Sequence, residues 1–396
     1  MDSNLLQEKV LHPISSGELE RRWRATREIM KEEHIDFLII QNNNGFVGGY
    51  LKWFTDMQAD HGYPAAAIFP AADEMTTVFH GAATEAGPAA YLLRGVKKRI
   101  QAPVVPALNY TCSYDAERVV EELRGYKNCR ISFVNEGAML AGFPNYVRKH
   151  LTGATFIDIT ERIDEIKALK SPEEIEHIKE SAHIHDEAFK ACLGAIRPGM
   201  REFELAAIAK FNCFKLGSEQ ALVLMGSAPS GSPCYFNNPH AFKRELKPGD
   251  QVSLVIEVSG PGGYWTHLHR TVVIGKIPEE LLAANELAKE VQALTLRMLK
   301  PGADPMEMLN TNNEFLRSRG CPEDTRIYSH GQGYDVVERP SFQPGETMKI
   351  KAGMNIGVHP WVFMKKASSR ICDNYMVTET GVSECLHKTP KEVFSV

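Results

Sequence analysis

QVSLVIEVSGPGGYWTHLHRTVVIG, residues 251–275, reads as a strand, a glycine-rich turn and a return strand. The first run is mostly apolar around Glu257, the turn is GPGG at 260–263, and the second run carries His267 and His269. Two residues apart on a strand, these imidazoles share one face. LKPGD at 246–250 is a turn that feeds the first run. Outward from this hairpin the helix period recurs at 172–195, 201–216, 279–299 and 304–319. Strand-like runs fall at 251–258, 270–276, 355–362 and 373–378. Helices grouped with antiparallel-looking strands predict an α+β domain. Ser171-Pro172-Glu173-Glu174 starts its first helix well, with Ser as N-cap, Pro in the first turn and acids facing the helix dipole.

The earlier part of the chain alternates instead. Helical stretches at 19–33, 115–125 and 144–151 are interleaved with strand signals at 36–40, 66–69, 76–79, 130–134 and 155–158. That spacing predicts an α/β domain with a mixed sheet over 1–164, followed by a second domain over 165–396. The charges of 19–33 read as a solvated helix face, and His177, His183 and His185 as solvated positions on the helix after residue 171. Trp53 and Phe54 read as core in preference to a reach into a neighbouring subunit.

With 396 residues, 43% of them hydrophobic and 24% charged, the chain is long enough to bury a sizeable core without a metal or disulfide staple. A formal net charge of −5 argues against nucleic acid or an anionic membrane as partner. The N-terminal residues lack a basic region followed by an apolar one, and no run approaches the length of a membrane span. Eight scattered cysteines without a C-x-x-C pair read as reduced thiols, so a cytoplasmic location is expected. All but Cys372 read as small buried hydrophobes. Phosphate-loop, G-x-S-x-G and H-E-x-x-H motifs are absent, and the stretch GSAPSGSPCYFNNPH at 226–240 reads as a loop.

Chemistry-bearing residues concentrate between 240 and 373. His240 precedes the LKPGD turn, His330 lies between glycines in SHGQGYD, His359 follows MNIGV, and Cys372 follows Arg370-Ile371. Each alone has an ordinary reading, as a satisfied histidine or a core cysteine. Together with Glu257, His267 and His269 they form a constellation.

The order of landmarks resembles the creatinase / prolidase / aminopeptidase P family, whose catalytic domain has the pita-bread fold. The landmarks are KSPEEI (170–175), RPGM (197–200), the PH of NNPH (239–240), KPGD (247–250), GYWTHLHRT (263–271), SHGQGYDVVERP (329–340), GMNIGVHP (353–360) and RICDNYMVTETG (370–381). The closing CLHKTPKEV (385–393) and, more weakly, HIDFLIIQNNNGFVGGYL in the first domain fit as well. The resemblance implies a pita-bread domain preceded by a smaller creatinase-type α/β domain, and a homodimer.

Metal-dependent members of that family hold two divalent cations through two Asp, one His and two Glu. Carried over, those positions fall at Glu257 (with Val255 or Ile256 as alternative registers), His267, His330, His359 and Cys372, so only the His is kept. The dinuclear manganese or cobalt site is therefore not expected. The resemblance to creatinase implies metal-free acid–base catalysis instead. His240 would be the proton carrier, His330 and Glu338 catalytic partners, and His269, Arg270 and His359 substrate-binding residues. Loss of the carboxylates favours a small substrate that carries a carboxylate, aided by Arg270 and, second to it, Arg370. The expected function is thus a creatinase- or Xaa-Pro-peptidase-like hydrolase of a C–N bond. The alternatives are a mononuclear zinc or iron hydrolase or lyase using some of Glu257, His267, His330, His359 and Cys372, and a binding protein on the same fold.

Overall fold

The alternating apolar and charged segments of the first part build a mixed sheet covered by helices. In the computed structural model, which describes residues 3–42, 49–57, 65–80, 92–102, 114–238 and 242–396, the chain divides into two units, Met1–Lys167 and Ala168–Val396. The first runs α1 (Ser3–Lys9), α2 (Ser16–Glu32), β1 (Phe37–Asn42), α3 (Tyr50–Thr55), β2 (Ala65–Pro70), β3 (Met75–His80) and β4 (Val96–Ala102). It continues with α4 (Tyr114–Leu123), β5 (Arg130–Phe133), α5 (Gly142–His150), β6 (Thr155–Phe156) and α6 (Thr160–Lys167). Residue 164, where the sequence places the end of the first domain, lies within α6.

The sheet order is β4-β3-β2-β1-β5-β6, with β1 antiparallel to β2 and parallel to β5. Ile39, Ile68, Val78, Val119, Ile131 and Val147 form its core. Trp53 and Phe54 on α3 are buried in this unit. The helix face read as solvated needs correcting at Arg22, which is fully buried. Its guanidinium donates to Glu18 one turn earlier at 2.8 Å and to the Trp53 carbonyl at 3.0 Å. An i,i+4 carboxylate and an aromatic neighbour let a charge enter the core there.

The second unit opens with α7 (Pro172–Ala195) and α8 (Glu202–Lys215), followed by β7 (Gln220–Pro229), β8 (Asp250–Ser259) and β9 (Trp265–Val273). Next come α9 (Glu279–Met298), α10 (Pro305–Ser318), β10 (Ser329–Gly331), β11 (Glu338–Ser341), β12 (Asn355–Val358), β13 (Trp361–Phe363), β14 (Ser368–Arg370), β15 (Asp373–Met376) and β16 (Val393–Ser395). The start of α7 is a capping box. Ser171 Oγ accepts from Glu174 N at 3.3 Å, and Glu174 Oε2 accepts from Ser171 N at 2.7 Å.

One four-stranded sheet has the order β16-β9-β8-β7 and another β11-β10-β12-β15, while β13 and β14 pair separately. Three strand boundaries differ from the sequence reading. Residues 226–229 continue β7, because β8 pairs with them as far as Pro229↔Asp250 despite their loop-like composition. The return strand occupies Trp265–Val273 instead of 270–276, and the run 355–362 divides into β12 and β13 around His359-Pro360, where proline lacks a ladder donor. Among the described cysteines none forms a disulfide, and all but the half-buried Cys385 are buried; Cys112 lies outside the described residues.

His183 is exposed on α7, but His185 is fully buried, with Nδ1 2.7 Å from the Ser181 carbonyl oxygen. Residues two apart on a helix cannot share a face, and the face carrying Ile178, Ala182, His185 and Phe189 turns inward. Burial, aided by the neighbouring His387, pushes the His185 pKa from 6.5 down to about 3, against the pull of the Ser181 carbonyl and Asp186. The unfolded chain therefore binds this proton first. Stability present above pH 6.5 is lost as pH falls from 6.5 toward 3. His185→Asn, which keeps an N–H donor, should flatten the fall of the urea midpoint between pH 6.5 and 4 relative to the native chain; parallel curves would contradict the assignment.

Candidate functional site

The register of β8 against β9 sets the first part of the site. Glu257 stands opposite His267 and Val255 opposite His269, so these four side chains share one sheet face. Ile256 and Leu268 point the other way into the core. β10 and β12 then bring in two more imidazoles. His330 pairs with Gly357, and His359 follows β12 with its N–H donated to the Tyr328 carbonyl at 2.9 Å.

His267, His330 and His359 converge. Their ring centroids are 5.2, 5.0 and 5.0 Å apart, and one ring nitrogen from each lies within 4.8 Å of the others. Gly357 makes this approach feasible, since a Cβ there would sit 2.1 Å from His267 Nε2. Behind His267 stands a buried amide network. Asn374 Oδ1 accepts from the His267 backbone N–H at 3.0 Å, while Asn374 Nδ2 donates to Gln332 Oε1 at 2.8 Å and Asn355 Oδ1 at 3.0 Å. Gln332 and Asn374 sit inside SHGQGYD and RICDNYM, but sequence reasoning passed over them because a lone amide carries no chemical signature.

All three imidazoles are held neutral. Burial lowers the His330 pKa to about 4 and those of His267 and His359 well below 6.5, and the Arg370 guanidinium acts in the same direction on each. His330 Nδ1 lies 2.9 Å from the Gly331 carbonyl oxygen, which only accepts, so Nδ1 carries the proton and Nε2 the lone pair. Both ring nitrogens of His359 and Nε2 of His267 are buried without a hydrogen-bond partner among the described residues.

Several expected roles need correction. His269 is a strut: Nδ1 is 2.5 Å from the Arg370 carbonyl oxygen and Nε2 2.7 Å from Ser253 Oγ, so neither nitrogen is free for substrate. Arg270 is fully buried on the opposite face, and every donor is spent inside the protein. Its guanidinium donates to Asp373 at 2.7 Å and to the carbonyls of His269, Cys372, Thr389 and Pro390. Glu338 forms a buried ion pair with Lys170 at 2.7 Å; its charge favours the protonated form of His330, but it adds no ligand atom to the three-histidine group. Glu257 and Cys372 also stay outside the convergent group, because neither places a ligand atom within 4.8 Å of all three histidines. His240 lies outside the described residues.

Arg370, the second choice as cation, is the one that faces the site. It is buried, its guanidinium lies over the Phe236 ring at 4.8 Å, and its Nε has no hydrogen-bond partner among the described residues. Glu257 and Cys372 flank it. Burial pushes both acids up, and Arg370 pulls both down. Phe236 stacks on Trp361 at 4.9 Å to complete an aromatic wall that the sequence did not announce.

Residues 176–379 match the metallopeptidase family M24. The chain is 28% identical over 245 residues to an Xaa-Pro dipeptidase of Pyrococcus furiosus, covering 60% of this chain and 68% of that one. It is 25% identical over 409 residues to a creatinase of a Bacillus species, covering 97% and 93%. The prolidase structure from Pyrococcus horikoshii superposes with a TM-score of 0.77 at 19% identity, over 94% of this chain and all of that one. The second unit therefore has the pita-bread fold. No helix among the described residues is long and apolar enough to cross a membrane.

Proposed function

The chain belongs to metallopeptidase family M24, and from that premise we propose that it hydrolyses a C–N bond in a small substrate bearing a carboxylate. The observation that carries this reading is Arg370, a buried guanidinium whose Nε has no hydrogen-bond partner among the described residues, beside three neutral imidazoles. A buried cation without a full set of partners favours an anion. A carboxylate held by Arg370 against Phe236 fixes one end of the substrate beside the three imidazoles.

The pair of cations bound by other members does not fit this donor set. Bridging two ions needs carboxylates, and three single-nitrogen imidazoles beside a guanidinium supply none. No step is routed through such a pair.

A panel of Xaa-Pro dipeptides and N-acyl amino acids, each as free acid and as C-terminal amide, tests the reading. Cleavage of free acids with kcat/KM about 30-fold or more above their amides is expected, the effect of losing a charge partner worth ~2 kcal/mol. Equal cleavage of both forms, or preferential turnover of cationic substrates such as creatine, would overturn it.

A further inference from the structure

The geometry points to a single four-coordinate divalent cation of the zinc class held by His267, His330 and His359, its fourth position open to water or substrate. This goes beyond the substrate reading above and does not depend on it. Strands β9 and β10 and the residue after β12 each deliver one imidazole, and one nitrogen of each lies within 4.8 Å of the other two. A tetrahedral ion with nitrogens at about 2.0–2.1 Å requires them about 3.4 Å apart, so small ring rotations close the site.

The hydrogen bonding supports the same assignment independently. Buried ring nitrogens normally find partners, yet both nitrogens of His359 and Nε2 of His267 have none among the described residues. His330 already has the arrangement typical of a ligating imidazole, with Nδ1 donating to a backbone carbonyl so that Nε2 offers its lone pair. Further out, the Asn374 side chain anchors the His267 backbone.

The donor set selects the ion. Imidazole nitrogens suit borderline cations, whereas manganese and magnesium favour oxygen. One nitrogen per ring also leaves nothing to bridge a second ion. Arg370 opposes the added charge. An anion in the open position would satisfy cation and guanidinium together.

The test uses the full chain after chelator treatment and dialysis, with Zn²⁺ alone as probe in equilibrium dialysis read by elemental analysis. One equivalent per chain is expected, and no comparable uptake of Mn²⁺. His330→Gln and His359→Gln should each weaken binding more than about 100-fold, beyond the 10–100-fold of a supporting residue. Cys372→Ala and the exposed His183→Gln should keep it. Substituting Co²⁺ into the native chain provides a second readout that needs no variant: strong visible bands of a four-coordinate ion are expected. No uptake, two equivalents, a weak octahedral Co²⁺ spectrum, or Zn²⁺ binding that survives both histidine changes would overturn the assignment.

Discussion

Arg270→Met should lower the stability of the second unit by about 3–5 kcal/mol, the usual effect of removing one member of a buried ion pair. Burial by itself would push the Asp373 carboxyl up, but the adjacent Arg270 overrides it and holds the pKa below the ordinary value. Without the guanidinium, Asp373 keeps the neutral donor Gln292 Nε2 at 3.1 Å and the charge of Lys391 nearby, and four backbone carbonyls lose a charged donor. Three of those carbonyls, those of Cys372, Thr389 and Pro390, belong to segments that Arg270 ties to β9, so the loss spreads beyond one pair. Urea unfolding of Arg270→Met, Asp373→Asn and the double variant measures the coupling. A loss below about 1 kcal/mol for Arg270→Met would show that the pair is dispensable.

Arg370→Gln should behave in the opposite way. Its guanidinium is buried and its Nε has no hydrogen-bond partner among the described residues, so its removal should leave stability level or raise it. Activity should fall steeply. Loss of a buried charge contact costs about 2–5 kcal/mol, which corresponds to roughly 30-fold to several-thousand-fold in kcat/KM. A fall in KM with unchanged kcat/KM would instead mark Arg370 as a source of ground-state strain. Two arginines a hundred residues apart in one unit thus separate into one that holds the fold and one that faces the site.

That separation was partly legible in the sequence. His267 and His269 share a face, so strand alternation already sends Arg270 to the other side. The family pattern drew attention to Arg270 and hid that arithmetic. Arg370 was less accessible, because β14 is only three residues long and its orientation depends on pairing with β13. The strand–turn–strand at 251–275 and the capping box at Ser171 were readable because each is local, with period, turn and cap within a few residues. His185 and Arg22 were not, since their burial is decided by what packs against the helix and not by the helix itself. The convergence of the three histidines lies between these cases. Its members were named one by one, but the glycine that lets them meet, Gly357, has meaning only once β12 lies against His267.

The most direct test of the account crosses the enzyme change with the substrate change. Native chain and Arg370→Gln are each assayed on one cleaved free acid and its amide, and kcat/KM is compared in all four combinations. The account predicts a large loss on the free acid upon substitution and little or none on the amide, because the contact removed is the one the amide never makes. Equal losses on both substrates would mean that Arg370 does not hold a carboxylate, and the proposed substrate class would fall with it.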